Sequence, residues 1–442
     1  MKRNYDICVV GAGPGGFMAA LAAKKTNPEA SVLLVERSGH LGGMAASGIP
    51  FLGFLDKQQR KIIGGLSDTL IERLVEKGGS RGIRHDPHHV SISVATPDVV
   101  KIAIGELCEE AGVDVLLHCE LCDATSENGR VTSATFVCCG NKTRIEAEIF
   151  IDATGDGTLA YLSGAEVEKG RGAEGKVQPP SCIYTIQNVD KERFISYLEK
   201  KGAPSVSPEY MRADPNYCVV CLNDLWQELN PIGQWPMQIW AFICVNSLNK
   251  GEVFVNGPRM PKTDPTDPIS MTRSELLGQR QAFQFTEVLR KHVAGFEDCF
   301  ISHINDSLGV RETRRIMGRK LLCVDEVKNG ETPADTIALA GYPIDIHSSD
   351  DNTSIMIRMD KPFGVPYGCL VSRSFDNLMM CGKHISVDPD VFGATRVMAT
   401  CFALGQAAGT AAAMALREGV HPAALNVQDL QAQLEKDGAI LR

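Results

Sequence analysis

The chain has 442 residues, 44% hydrophobic and 22% charged, with a formal net charge of −9. That length fits about three domains and buries a large core without disulfide or metal staples. The acidic balance argues against a nucleic-acid surface and for an acidic soluble enzyme. No run of about 18 apolar residues reads as a membrane span. The start, Met1 to Asn4, leads straight into an apolar run too short for a signal peptide, so a cytoplasmic location is expected. The 15 cysteines are scattered through core-like segments and are most simply buried reduced thiols.

Tyr5 to Val10 is a short apolar run and predicts a strand. Gly11-Ala12-Gly13-Pro14-Gly15-Gly16 follows and contains G-x-G-x-x-G at Gly11, Gly13 and Gly16. A helix is predicted over Phe17 to Lys25, then a strand over Ser31 to Val35 closed by Glu36. Each part has a task in dinucleotide binding. Gly11 permits the turn, and Gly13 lets backbone N–H groups approach a pyrophosphate at the helix N-terminus. Gly16 lets helix and strand pack closely, and Glu36 accepts hydrogen bonds from a ribose. Reading the turn as an ordinary glycine-rich loop leaves Glu36, 20 residues after Gly16, unexplained.

Leu41-Gly42-Gly43-Met44-Ala45 leaves this strand as a loop. Residues 47–95 form a mixed insertion with a helix over Leu66 to Lys77. Its cluster His85-Asp86-Pro87-His88-His89 offers metal-ligand types, but such closely spaced ligands rarely close a site unaided. A surface or cap turn is the reading adopted, with no metal. Pro97 to Gly112 predicts an amphipathic helix and Val113 to His118 a buried strand. Leu121 to Cys139 predicts a hairpin around Glu127-Asn128-Gly129-Arg130. Arg144 to Ala153 predicts a strand ending at Thr154-Gly155-Asp156-Gly157.

Residues 165–345 break the βα rhythm with many prolines, all three tryptophans and a long predicted helix, about Ser274 to Val293. Here Cys218-Val219-Val220-Cys221 has redox-motif spacing. Its flanks predict a strand, which places the two thiols on opposite faces. After Pro366-Tyr367-Gly368 the earlier style returns, with a strand over Leu378 to Cys381, a loop at Gly382 and a small-residue helix over Ala394 to Arg417. The fold class expected is α/β: a Rossmann-like domain with a parallel sheet and crossover β-meander. It is assembled from residues 1–164 and 346–442, with an inserted mixed α+β substrate or cap domain at 165–345.

These pieces together resemble flavoproteins of the glutathione-reductase-like superfamily, and within it the FAD-dependent oxidoreductase family. Arg311-Glu312-Thr313-Arg314-Arg315, Tyr342-Pro343-Ile344-Asp345-Ile346-His347, Arg396-Val397-Met398-Ala399-Thr400 and Ala403 to Thr410 look like that family's signatures. The resemblance covers essentially the whole chain and implies FAD as cofactor. It implies that Gly13, Pro14, Gly15 and Gly16 hold the pyrophosphate and that Glu36 binds the adenosine ribose. Arg37, Gly42, Gly43 and Met44 would run along the phosphates and ribityl chain. Thr154, Gly155 and Asp156 would lie on the adenine side, and Gly382, with Arg396 before the last helix, near the flavin. Gly155-Asp156-Gly157-Thr158-Leu159-Ala160 also spells G-x-G-x-x-A, but no second βαβ unit with a terminal acid follows it.

Two places supply groups for the chemistry. The first is Arg311 to Arg319: Arg311 and Arg314 are candidates to clamp an anionic substrate, since a guanidinium matches a carboxylate. The alternative there is a solvated helix face with Glu312 paired to Arg315. The second is Asp345 and His347, which alternate and share one strand face, so that the acid orients a histidine acid or base. His384 follows the strand end that approaches the flavin and is a further candidate. His40 lies in the flavin loop. The function expected is hydride transfer between flavin N5 and a small polar or anionic metabolite, with the electron acceptor unknown. The alternatives are an alkene reductase of the fumarate-reductase type, or an FAD-binding electron-transfer subunit of a larger complex. The protein partners considered are a second copy of the chain, as a homo-oligomer, and a redox partner protein.

Overall fold

The computed structural model describes residues 2–201, 204–351 and 353–442. The apolar segments of both chain ends meet in one sheet. Its strand order is Asp114–Leu116, Val32–Val35, Asn4–Val10, Asn141–Asp152, Arg130–Cys138 and Glu120–Glu127, with Leu378–Met380 added beside Asn141–Asp152. The first four strands and Leu378–Met380 pair in parallel. The last two form an antiparallel meander. Its hairpin turns at Asn128 and Gly129, both at positive φ (50° and 75°), the geometry an Asn-Gly turn supplies. Val32–Val35 is buried throughout, as a strand covered on both faces requires. Asp114–Leu116, expected as a buried strand, lies at the sheet edge with Asp114 exposed.

Helix Pro14–Thr26 packs against helix Met398–Glu418. The latter is long and apolar enough to cross a bilayer, yet 89% of its most apolar window is buried inside the protein. It is a core helix, and its small residues bring it close to the first helix.

A second, separate core forms around a five-stranded antiparallel sheet. The order is Cys218–Cys221, Phe242–Asn246, Val253–Arg259, Ser181–Gln187, Phe300–Ile304. Phe194, Phe242, Phe285, Phe296 and Trp235 fill it with tilted and edge-to-face rings. Its long helix runs Pro268–His292 and starts earlier than the apolar periodicity suggested. Asp267 caps it by accepting from the N–H groups of Ile269 and Ser270, and Pro268 takes the first helical position. Cys218 and Cys221 stand on a strand, both buried, and burial pushes both thiols well up.

The cores part earlier than residue 345. The second ends at Leu308, whereas Ile316, Leu322, Ile337 to Ala340 and Ile344 belong to the first. The reason is the wholly buried strand Thr336–Ala340, which packs on the Met398–Glu418 helix. The insertion at 47–95 carries a three-stranded sheet. Its Ile92 and Val94 join Cys218, Val245 and Phe254 in a small third core, tying it to the five-stranded sheet.

Candidate active site

The glycine turn has the shape its sequence demanded. A Cβ on Gly16 would stand 1.8 Å from the Gly11 carbonyl oxygen, so strand and helix touch there through backbone alone. A Cβ on Gly13 would meet nothing within 4 Å, leaving open space before the first turn of the helix that Pro14 begins. From the other side, a Cβ on Gly43 would lie 3.1 Å from the Gly13 Cα, and Gly42 N–H donates to the Ala12 carbonyl at 2.8 Å. Gly15 packs on Gly382, its virtual Cβ 2.8 Å from the Gly382 nitrogen. The glycine turn, the Gly42-Gly43 loop and the Gly382 loop therefore surround one open channel.

Glu36 accepts from the N–H of Ala12 at 2.8 Å and of Ser38 at 2.9 Å. It braces the turn and keeps acceptor capacity for a ribose, since a carboxylate offers about four lone-pair positions. Arg37 is exposed at the end of this strand, and Met44 reaches toward Gly309. The Thr154 hydroxyl donates to Asp152 Oδ1 at 2.7 Å and accepts from the N–H of Asp156 and Thr158, which fixes the Thr154-Gly155-Asp156 bend. The apparent second fingerprint ends here. Gly157 opens a helix of only five residues, Thr158–Leu162, and the next strand, Val167–Lys169, pairs antiparallel with Arg314–Ile316 outside the main sheet.

His384 lies fully buried beneath this channel. Its Nε2 is 3.2 Å from both the carbonyl oxygen and Oδ1 of Asp152, so it joins the ends of the two strands Asn141–Asp152 and Leu378–Met380. His40 Nδ1 is 3.0 Å from the Leu41 carbonyl.

The substrate side gathers residues from distant parts of the chain. Arg311 Nη1 donates to the Pro179 carbonyl and to Ser181 Oγ, both at 2.8 Å. Ser181 is the cross-strand partner of Arg259, which brings Arg259 near enough to Arg311 for their charges to oppose each other. Asp345 Oδ2 lies 3.2 Å from His347 Nε2 and 2.9 Å from Arg396 Nη2. The His347 N–H donates to Gln178 Oε1 at 3.2 Å. Arg259 Nε and Nη1, Arg396 Nε, Gln178 Nε2 and His347 Nδ1 are buried and have no partner among the described residues.

Electrostatics mark the cluster. Burial, with Arg396 nearby, pushes Arg259 down to about 10, and burial with Arg259 and Arg396 pushes Arg311 well down. Guanidinium stays protonated even so, and the shifts mean that its charge is poorly compensated. Burial, then the charge of Arg311, pushes His347 down to about 3. Asp345 is held well below the usual carboxylate range, the His347 hydrogen bond and Arg396 outweighing its burial. Arg311 retains accessible surface although packed on every side, as a residue lining a hollow does.

Arg314 is not part of this cluster. It stacks over the Tyr161 ring at 4.2 Å and reaches the Asp156 carbonyl at 3.4 Å. The solvated helix face considered for this segment is also absent. Arg315 is 1% exposed and pairs with buried Glu312 at 2.7 Å, on the short strand Arg314–Ile316 and the loop before it. In the histidine-rich turn, Asp86 accepts from the N–H groups of His88 and His89 and from the His89 ring. Arg259 was missed from sequence. Its only signal is a cation closing a strand that opens with the apolar run Val253 to Val255, in a residue type rarely buried alone.

A glycine turn opening on free space, together with a separate cluster of enclosed cations and a histidine, is what a redox flavoprotein would need. Residues 6–434 match the family model described as FAD dependent oxidoreductase, and the chain belongs to that family. It is an FAD-dependent oxidoreductase, and FAD is its cofactor. Over 171 residues it is 31% identical to digeranylgeranylglycerophospholipid reductase of Methanoculleus marisnigri, a match covering 37% of this chain and 41% of that protein. The chain thus spans about two-fifths of this curated relative.

Among solved structures, p-nitrophenol 4-monooxygenase from Pseudomonas putida is 9% identical, with a TM-score of 0.50 over 98% of this chain and 86% of the other. A geranylgeranyl bacteriochlorophyll reductase-like protein from Thermoplasma acidophilum is 15% identical, with a TM-score of 0.45 over 98% and 83%.

Proposed function

We propose that this oxidoreductase transfers a hydride between flavin N5 and a small anionic metabolite bound at Arg259, Arg311 and Arg396. One observation carries this reading: of three enclosed guanidiniums only Arg396 pairs with a carboxylate, Asp345, among the described residues, and unpartnered N–H groups are left over on Arg259 and Arg396. Burying charge without a counter-ion is costly, and a carboxylate on the substrate supplies one. The pocket draws Arg259 from the five-stranded sheet and Arg396 from the flavin side, so substrate sits between the two cores, a common place for such sites.

Bound FAD supplies the hydride-accepting or hydride-donating centre. Gly13 to Gly16, Glu36, Gly42, Gly43 and Gly382 would hold it, and the open space beside Gly13 fits its phosphates. His347 handles the proton. Its Nε2 donates to Asp345, which leaves Nδ1 as the lone-pair acceptor. Neutral at physiological pH, it serves as a base when substrate is oxidised. Once protonated, it serves as the acid in the reverse direction. Asp345 fixes the ring and is itself held by Arg396. In this reading the protein is a cytoplasmic enzyme acting on a small molecule, with its electron acceptor outside the chain. The partial match to a protein named a reductase favours reduction of an activated alkene as a second reading.

The test is titration of the flavin-loaded protein with small carboxylates and their neutral amides, followed by flavin absorbance. Carboxylates are expected to bind, and Arg259→Met and Arg311→Met each to weaken them about 10- to 100-fold, the worth of a charge-assisted hydrogen bond. Equal binding of acid and amide, or variants that bind carboxylates as the parent does, would sink the proposal.

A further inference from the structure

The channel contains a second cation that no motif announces. Lys383 follows Gly382 at the end of strand Leu378–Met380. Its Nζ donates to the Val310 carbonyl at 2.9 Å, and its nearest carboxylate, Asp156 Oδ1, lies 3.6 Å away, beyond hydrogen-bond distance. The stem crosses Gly155, where a Cβ would stand 3.1 Å from the lysine Cε. Its side chain is 19% exposed, so an ammonium with three protons makes one hydrogen bond inside the protein.

Its surroundings point to a ligand. One residue away, Gly382 packs directly on Gly15 in the first turn of helix Pro14–Thr26. Gly155 and Asp156 lie under its stem. Burial opposes its charge, and the exposed Arg37, just past Glu36, opposes it further. A poorly solvated ammonium beside a glycine turn, with one hydrogen bond and no carboxylate within hydrogen-bond distance among the described residues, is left short of a counter-ion that an anion would supply. A pyrophosphate diester carries two negative charges, matching Lys383 and Arg37.

We propose that Lys383, with Arg37, binds the FAD pyrophosphate, its ammonium exchanging the Val310 carbonyl for phosphate oxygens when the cofactor enters. Lysine meets phosphate as a point charge on a flexible stem, which suits a group that must move between two partners.

The test uses the full-length chain freed of flavin and shown to recover its bound spectrum when FAD is restored. FAD affinity is read by fluorescence quenching, and ADP and adenosine affinities by calorimetry. Lys383→Met is expected to weaken FAD and ADP alike, each about 10- to 100-fold. It should reduce the salt dependence of both and leave adenosine within about twofold. Lys383→Arg should restore most of the ADP affinity, which also shows that the site remains folded. Unchanged ADP affinity in Lys383→Met would overturn the proposal. So would an equal loss for adenosine and ADP, because Lys383 would then only pin Val310 to the loop. If Lys383→Met does not fold, Lys383→Gln carries the same comparison.

Discussion

Replacing Gly405 by alanine tests how the cofactor channel is held. A Cβ there would stand 2.2 Å from the Gly15 carbonyl oxygen and 2.9 Å from Met18 Cβ. Ordinary contact needs about 1 Å more, so helix Met398–Glu418 would have to lift off helix Pro14–Thr26, or the first turn of the latter would have to shift. Alanine in place of a helical glycine contributes about 1 kcal/mol of intrinsic helix stability, while overpacking against backbone costs about 1–3 kcal/mol. The expected net is a destabilisation of up to about 2 kcal/mol in urea unfolding. FAD affinity should fall as well on the proposed reading, in which the turn carrying Gly15 would meet the phosphates. Gly105 is the control. It lies in helix Pro97–Ala111, and a Cβ there would meet nothing within 4 Å, so Gly105→Ala should stabilise by about 0.5–1 kcal/mol with FAD binding unchanged. If Gly405→Ala is as stable as the parent and binds FAD equally well, the close crossing does not position the channel.

Two further outcomes follow from buried charge. Glu312→Ala takes from Arg315, 1% exposed, its 2.7 Å partner and leaves it the Gly170 carbonyl at 2.9 Å and the half-exposed Glu168 at 3.6 Å. It should cost about 1.5–3 kcal/mol in urea unfolding, the worth of a hydrogen bond to a charged group, and a loss below about 1 kcal/mol would show that the pair is dispensable. His347 bears on the pH dependence of stability. Burial and Arg311 push it down to about 3 from an unfolded value of about 6.5. Between these values the unfolded chain binds a proton that the folded one refuses. Its contribution is thus complete above pH 6.5 and is lost as pH falls toward 3. By pH 4.5 the parent should lose about 2–3 kcal/mol more than His347→Gln, measured by urea unfolding at matched FAD concentration. Parallel pH profiles would show that His347 is not held neutral.

What could be read from sequence was local. Gly11 to Glu36 is a continuous strand–turn–helix–strand unit, so each residue's task follows from its neighbours. The 3.2 Å Asp345–His347 contact follows from two-residue alternation on one strand. What could not be read depends on segments meeting across long separations. Nothing near Arg259 says that it will stand near Arg311, because that approach is made by the pairing of Ser181–Gln187 with Val253–Arg259. Arg311 and Arg314 look equivalent in sequence. They diverge because Arg314–Ile316 pairs with Val167–Lys169, which turns Arg314 toward Tyr161. The border between the two cores is set in a similar way. Nothing within Thr336–Ala340 assigns it to the first core; its packing on the Met398–Glu418 helix does.

Net charge illustrates the same divide. A net charge of −9 argues against a nucleic-acid surface, and that sum says nothing about how charge is arranged inside. The channel and pocket concentrate cations: Arg37 and Lys383 at the glycine turn, Arg259, Arg311 and Arg396 beyond it. The two groups are linked through the backbone, since Lys383 donates to the Val310 carbonyl and the next residue, Arg311, holds Pro179 and Ser181. In a poorly solvated interior, attraction for an anion is stronger than at the surface. An acidic exterior also disfavours bulk anions that would compete nonspecifically. Selectivity for anionic ligands therefore rests on where five cations are placed, all but Arg37 wholly or partly buried, and neither composition nor any single motif specifies that placement.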